Sequence, residues 1–371
     1  MNRKKIAIIG ATEFQLPLIR KAKQLGYETY VFAWAAGDVG EKEADHFVPI
    51  SVIELEKIYE YCVENGIDSA SSIGSDITIL TVNYLLRRFG KPCNSEKTDE
   101  IATNKYKMRE ALSSHGVECP GYICVDQLPS REELAHLSYP MIVKPSDRSG
   151  SRGIYKVNDY EELSEAVPAS IGESFEKRAV IEEYIDGPEY SCESISFGGK
   201  HRVLAITQKH TTGSPNFIET GHDEPSDIPE EYLKKVSAQI ETALDALNIE
   251  YGASHAEFKL DDEMNVHIIE IGPRMGGDYI GSHLVPLSTG YDFMKMVIDV
   301  AQGKEPDLFV AEHYDKASIR FIMSEDDMQA MNEVLKNEKY LVMETHLEAN
   351  DIHDKVTNST DRHGYYIYVE R

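Results

Sequence analysis

The chain has 371 residues, enough for roughly two or three domains, and 41% of them are hydrophobic, so a substantial core is available. Its 64 acidic residues outweigh 38 basic ones, for a formal charge of -26. That field has the wrong sign for a protein that wraps nucleic acid or adheres to anionic lipid. Five cysteines, Cys62, Cys93, Cys119, Cys124 and Cys192, are scattered without a CxxC pair, which argues against a zinc ribbon or a disulfide framework and for reduced thiols in a cytoplasmic protein. No run approaches the ~18 apolar residues that a membrane span needs.

Short apolar runs alternate with amphipathic stretches over the first hundred residues. Strands are predicted at residues 5–9, 28–32, 47–50 and 70–73, and helices at 16–25, 53–64 and 77–88. Strands separated by helices imply a parallel sheet covered on both faces. Gly10 ends the first strand, but GATEFQ lacks the GxGxxG of a dinucleotide turn. A small substrate near the strand ends is the better reading, with Glu13 and Asp76 as candidates.

An α+β unit follows, with a helix at 105–114, strands at 122–125 and 141–144 around a short helix at 131–136, a strand at 154–157, a helix at 160–167 and a strand at 180–185. Strands at 190–197 and 203–208 meet across Gly198-Gly199. A polar loop is expected over 209–228, a helix over 230–247, and strands at 254–260, 266–271, 317–322 and 365–369.

Three segments carry chemistry. In HAEFKL and NVHIIEIGPRMGG, Glu257 and Glu270 fall on successive strands, and Arg274 follows closely. Paired carboxylates suit a hard divalent ion, and a guanidinium suits a phosphate or carboxylate; residue types alone leave a solvated or lysine-paired couple equally open. In MIVKPSDRSGSRGIYKV, Lys144 ends an apolar strand, and Ser149, Gly150, Ser151 and Gly153 form a turn that could fold over phosphate or be an ordinary glycine-rich turn. In AVIEEYIDGPEYSCESISF, Glu182, Glu183, Tyr184 and Ile185 could offer backbone to adenine and Glu189 could receive ribose hydroxyls, or the segment could be a surface strand.

In this order, the segments resemble the ATP-grasp superfamily of carboxylate–amine ligases, particularly its L-amino-acid ligase and carnosine-synthase-like branch. The resemblance implies an ATP-grasp fold of α/β and α+β class, with an amino-terminal parallel-sheet domain (1–100), two grasp lobes (101–186 and 187–305) and a small carboxyl-terminal subdomain (306–371). It implies ATP with Mg2+, for which Mn2+ could substitute. Lys105 and Lys144 would contact phosphates, with the Ser149, Gly150, Ser151 and Gly153 loop over them. Glu182, Glu183, Tyr184 and Ile185 would face adenine and Glu189 ribose. Glu257 and Glu270 would hold metal, while Lys144 and Arg274 act in catalysis. The family's ExNxR has become Glu270-Ile271-Gly272-Pro273-Arg274, so one side-chain ligand is missing at Gly272.

The activity so implied is ADP-forming ligation of a carboxylate to an amine through an acyl phosphate, with an amino-acid substrate. A ligase or ATP-dependent carboxylase of nucleotide, cofactor or specialised-metabolite synthesis is the alternative, and a non-catalytic ATP-binding module the contrasting one. Expected partners are small carboxylate and amine substrates, without nucleic acid or membrane; homodimerisation is left open. His255, two residues before Glu257, could position substrate or simply pack. In the 209–222 segment, His210 and Glu219, with Arg274, are the substrate candidates, although a polar surface loop reads the same way.

Overall fold

The computed structural model describes residues 3–148, 152–213, 217–347 and 356–371. Ser149, Gly150 and Ser151 of the expected phosphate loop lie outside the described residues, and Gly153 lies within them. Strands β1 (Lys5–Ile9), β2 (Glu28–Phe32), β3 (His46–Val48) and β4 (Ala70–Ser71) form a parallel sheet in the order β3-β2-β1-β4. Ile6 and Ile8 join one buried cluster and Ala7 and Ile9 another. This is the alternation expected of a strand covered on both faces. The helix Asp76–Phe89 begins just beyond β4, which puts Asp76 at the carboxyl end of the sheet.

A second sheet contains β5 (Tyr122–Val125), β6 (Met141–Pro145), β7 (Tyr155–Val157) and β8 (Ala179–Glu183), antiparallel in the order β5-β8-β6-β7. The helix Tyr160–Glu173 covers it through Leu163, Ala166 and Val167, which pack on Met141, Val143 and Ile181. The helix expected at 131–136 is a series of turns instead. It is stopped at Leu137, before Tyr139-Pro140 leads into β6.

The third sheet has eight strands: β9 (Glu189–Phe197), β10 (Lys200–Thr211), β11 (Glu219–Glu224), β12 (Tyr251–Leu260), β13 (Val266–Gly272), β14 (Ala317–Ile322), β15 (Tyr340–Leu347) and β16 (Gly364–Glu370), in the order β13-β12-β9-β10-β11-β14-β16-β15. The helix Glu230–Ala246 closes one face by burying Val236, Ile240, Ala243 and Leu244 against Phe258 and Ile268. β14, β16 and β15 continue the sheet beyond β11, so the strands after residue 306 share its ladder.

The segment expected as a loop over 209–228 carries sheet at 209–211 and 219–224. β10 extends to Thr211, and β11 pairs with both β10 and β14. The sequence ETGHDE reads as loop because it is polar, yet its acids are answered inside the sheet. Asp223 meets Arg320 and Ser318, while Glu224 accepts from Thr207 and Ser288.

Candidate active site

In the smaller antiparallel sheet, three charges share one buried site. Glu182 receives the Lys144 ammonium at 2.6 Å and Arg109 Nε at 2.8 Å, and all three side chains are at most 5% exposed. Burial alone would raise the Glu182 pKa; the cations Arg109 and Lys144 instead hold it down at about 2. Burial also pushes the Lys144 pKa below the ordinary lysine value. The Glu182 side chain is therefore turned away from solvent; the part expected to face adenine is its backbone. Its backbone lies in β8, in register with Tyr122 of β5 and Ile142 of β6, and its side chain positions Lys144. The strand ends at Glu183, whose N–H donates to the Gly121 carbonyl, and Tyr184 beyond it donates its N–H to that of Pro140. The Tyr184 ring lies under Lys156 Nζ at 3.5 Å and near Lys259 Nζ at 4.8 Å. Ile185 continues into the turn that leads to β9.

Across the cleft, β12 and β13 form the hairpin that the sequence pattern predicts, with Glu257 directly opposite Glu270. Lys105, the first residue of the helix Lys105–Ser114, bonds Glu270 at 2.9 Å and the Arg148 carbonyl at 2.6 Å. Glu257 bonds Lys209 at 2.5 Å. Lys209 also meets Glu189 at 3.0 Å and Glu219 at 3.8 Å. Burial would lower its pKa, but the three carboxylates raise it well above the usual value. Sequence reading named Lys209 as a charge of a substrate-facing loop and missed its place as a buried cation within β10.

Glu193 was missed as well. It is fully buried in β9, binds His255 Nδ1 at 2.5 Å and accepts the Gly276 N–H at 3.0 Å. Nε2 of His255 lies 3.4 Å from Glu257. Burial opposes charging of His255, but Glu193 raises its pKa above the ordinary value. A side chain at Gly276 would put Cβ 2.3 Å from Glu193 Oε1, so glycine is what lets the backbone reach that carboxylate. The only local clue to Glu193 was a charged residue inside the apolar run YSCESISF.

Arg274 follows β13, and its Nε donates to Asp76 Oδ1 at 2.7 Å. Beyond it, Asp278 and Tyr279 both have left-handed backbones, with φ 48° and 62°, before the π-helix Ile280–Leu284. Such conformations are unfavourable for non-glycine residues and collect at functional sites. Asp278 receives Arg362 at 2.9 Å, and the same guanidinium lies 3.3 Å from Glu219 and over the Phe321 ring. His222 faces this group, 3.9 Å from Asp278. Both its ring nitrogens and Arg362 Nε are buried without hydrogen-bond partners among the described residues. His210 is not brought here. It follows Lys209 by one residue and so points through the opposite face of β10, where it binds Asp223 at 2.8 Å. Asp76 is held by Arg274, and the Glu13 carboxylate acts electrostatically on Tyr279.

Residues 137–282 match the ATP-grasp domain family. The chain contains an ATP-grasp domain. It is 26% identical over 283 residues to the alanine–anticapsin ligase of Bacillus subtilis, a match that covers 67% of this chain and 59% of the relative. The chain spans about half to three fifths of the length of the first curated relatives it matches. The L-amino acid ligase of Bacillus licheniformis has a solved structure with TM-score 0.81 at 22% identity, covering 100% of this chain and 95% of that one. Phosphoribosylglycinamide synthetase of Anaerococcus prevotii gives 0.79 at 21%, covering 100% and 95%. At these identities the two structures establish the ATP-grasp fold over the whole chain.

Within the ATP-grasp domain the donor set fits a hard cation. Glu257 and Glu270 present carboxylate oxygens from facing positions, and Lys209 and His255 hold the Glu257 pKa well below the usual value against the opposing effect of burial. Glu257 therefore stays ionised in the neutral range. Another group, Glu118, Asp261 and His267, could also hold a metal by distance alone. It lies at the far turn of the hairpin, where Asp261 is already bonded by Asn265 and Glu263.

A titratable group beneath the ATP-grasp site yields a stability prediction. Burial pushes Glu224 up to about 7, although Ser288 and Thr207 hydroxyls donate to it. The folded state thus binds its proton more tightly than the unfolded chain, and the associated stability is lost as pH rises from the ordinary carboxylate range through about 7. Glu224→Gln is expected to remove that loss. Urea unfolding at pH 5 and pH 8 should show the variant gaining up to about 3 kcal/mol on wild type between the two.

Proposed function

We propose that the protein is an ATP-dependent, ADP-forming ligase that joins a carboxylate to an amine, with an amino acid as substrate. The observation that carries this is the run from Lys105 to Glu270, from Glu270 across the strand pair to Glu257, and from Glu257 to Lys209, with Arg274 near enough to act electrostatically on Glu257. In this reading a carboxylate oxygen of the first substrate attacks the γ-phosphorus of ATP and ADP leaves. The amine then attacks the acyl carbon, loses a proton, and phosphate departs as the amide forms. Lys105 and Lys144 bind phosphate oxygens, with Gly153 beside them. The backbone of Glu182, Glu183, Tyr184 and Ile185 lines the adenine side, with Glu189 toward the ribose. Arg274 stabilises charge on the transferring group. Mg2+, held by Glu257 and Glu270, supplies positive charge to the phosphates when bound.

An amino-acid substrate is favoured by the charges beyond Arg274. Among the described residues, the ion pairs that Glu189, Glu219, Glu257 and Asp278 make with permanent cations are shared between two, Lys209 and Arg362. That excess of carboxylates suits an ammonium and opposes a phosphoribosyl phosphate. Glu219→Gln should therefore raise the amino-acid KM about 10- to 100-fold, the value of a charge-assisted hydrogen bond, with ATP affinity unchanged. His210→Ala, on the opposite face, should leave both nearly unchanged. Purified protein incubated with ATP, Mg2+ and pairs of amino acids should release ADP and give a condensed product by mass spectrometry. Absence of ADP with every pair would overturn the reading.

A further inference from the structure

The turn that leaves the amino-terminal sheet is fastened to the segment carrying Arg274 at two points. Gly74 N–H donates to the Met275 carbonyl at 3.1 Å, and Asp76 Oδ1 accepts from Arg274 Nε at 2.7 Å. Arg274 is partly buried, with its side chain 17% exposed. Burial would lower its pKa, but Asp76 more than reverses this. The bond uses Nε. Nη1 makes only a long contact of 3.4 Å to the Met275 carbonyl, and Nη2 has no hydrogen-bond partner among the described residues.

Gly272 supplies a separate observation. A Cβ built there would lie 2.9 Å from Asp76 Oδ1, 3.1 Å from Arg274 Nε and 3.2 Å from Arg274 Cζ. The missing side chain leaves the space that the ion pair fills. Any larger residue must displace a carboxylate or guanidinium that is already fixed.

We propose that Asp76 is a positioning residue for Arg274: the amino-terminal domain holds the guanidinium by its Nε edge, and Gly272 keeps the space for that contact, so that the Nη edge faces the reacting phosphoryl. The amino-terminal sheet then contributes to turnover without touching nucleotide. A guanidinium fixed on one edge costs less reorientation when charge develops at the other. This inference rests on the ligase reading for its kinetic consequence, although the contact itself can be measured without it.

The test uses Asp76→Asn, Gly272→Ala and the double variant in the full chain. Each single change should lower kcat about 10- to 100-fold, as expected when a catalytic group is displaced by a fraction of an ångström, with the KM for ATP within about twofold of wild type. The double variant should be no slower than the worse single one, because both changes break one contact. Asp76→Glu should recover part of the rate. The Arg274 Nε–H resonance, assigned by its loss in Arg274→Lys, should be protected from solvent exchange in wild type and unprotected in both single variants. Wild-type rates in Asp76→Asn, additive losses in the double variant, or an unchanged Nε–H signal would each overturn the proposal. If wild type forms no ADP with any substrate pair, the ligase reading fails alone, and the resonance still decides whether Asp76 and Gly272 hold Arg274.

Discussion

Glu182→Gln is expected to lower the folding free energy by about 3–5 kcal/mol, the range for breaking one partner of a buried ion pair. Glu182 is 2% exposed and, among the described residues, is the only carboxylate bonded to Arg109 and Lys144, which are 0% and 4% exposed. Gln keeps the shape and removes the charge, leaving two buried cations. Lys144 can escape by losing its proton, since burial already depresses its pKa. Arg109 cannot, and it retains only the Ile269 carbonyl at 2.6 Å. Urea unfolding at pH 7 should show the midpoint falling with an unchanged slope. Nucleotide affinity should fall too, because a neutral Lys144 no longer attracts phosphate. Replacing Arg109, Lys144 and Glu182 together by apolar residues of similar volume should cost less stability than Glu182→Gln, while abolishing ATP binding. A wild-type midpoint in Glu182→Gln would mean that the three charges are solvated in solution.

Arg274→Ala is expected to reduce turnover about 10²–10³-fold, equivalent to about 3–4 kcal/mol of transition-state stabilisation. The contacts of Arg274 are to Asp76 and the Met275 carbonyl, whereas Lys105 and Lys144 lie on other segments. The loss should therefore fall on kcat, with ATP affinity measured by calorimetry within a few-fold of wild type. The variant also leaves Asp76 without its cation. Its pKa, now below the ordinary aspartate value despite burial, should return upward, adding a rise in stability on acidification that wild type lacks. Severe loss of ATP binding with normal turnover would remove Arg274 from the reacting centre.

What was legible in the sequence followed from local periodicity. The alternation in HAEFKL and NVHIIEIG set two strands and a short turn, and the structure pairs Glu257 with Glu270. The parallel order of β1, β2 and β4 followed from apolar runs separated by amphipathic helices. What was hidden depended on distant partners. β11 reads as loop because the residues that neutralise it, Arg320, Ser318, Thr207 and Ser288, lie elsewhere in the chain. Glu182 reads as a hinge residue because Arg109 is 73 positions away. Asp76 was visible as a candidate, but nothing near it indicated that Arg274, 198 positions later, would claim its carboxylate. Gly272 reads as a lost ligand in one dimension and as space for that pair in three.

The continuous ladder from β13 to β15 has a consequence for chimaeras. Glu219 lies on β11, Asp278 precedes the π-helix, and Arg362 enters β16 from beyond β15, yet all three meet. Grafting only residues after 306 from another family member would place a foreign strand against β11 and separate Arg362 from both acids. A transplant meant to carry selectivity should move β11, the π-helix and β14–β16 as one cassette, leaving Lys105 and Lys144 with the host.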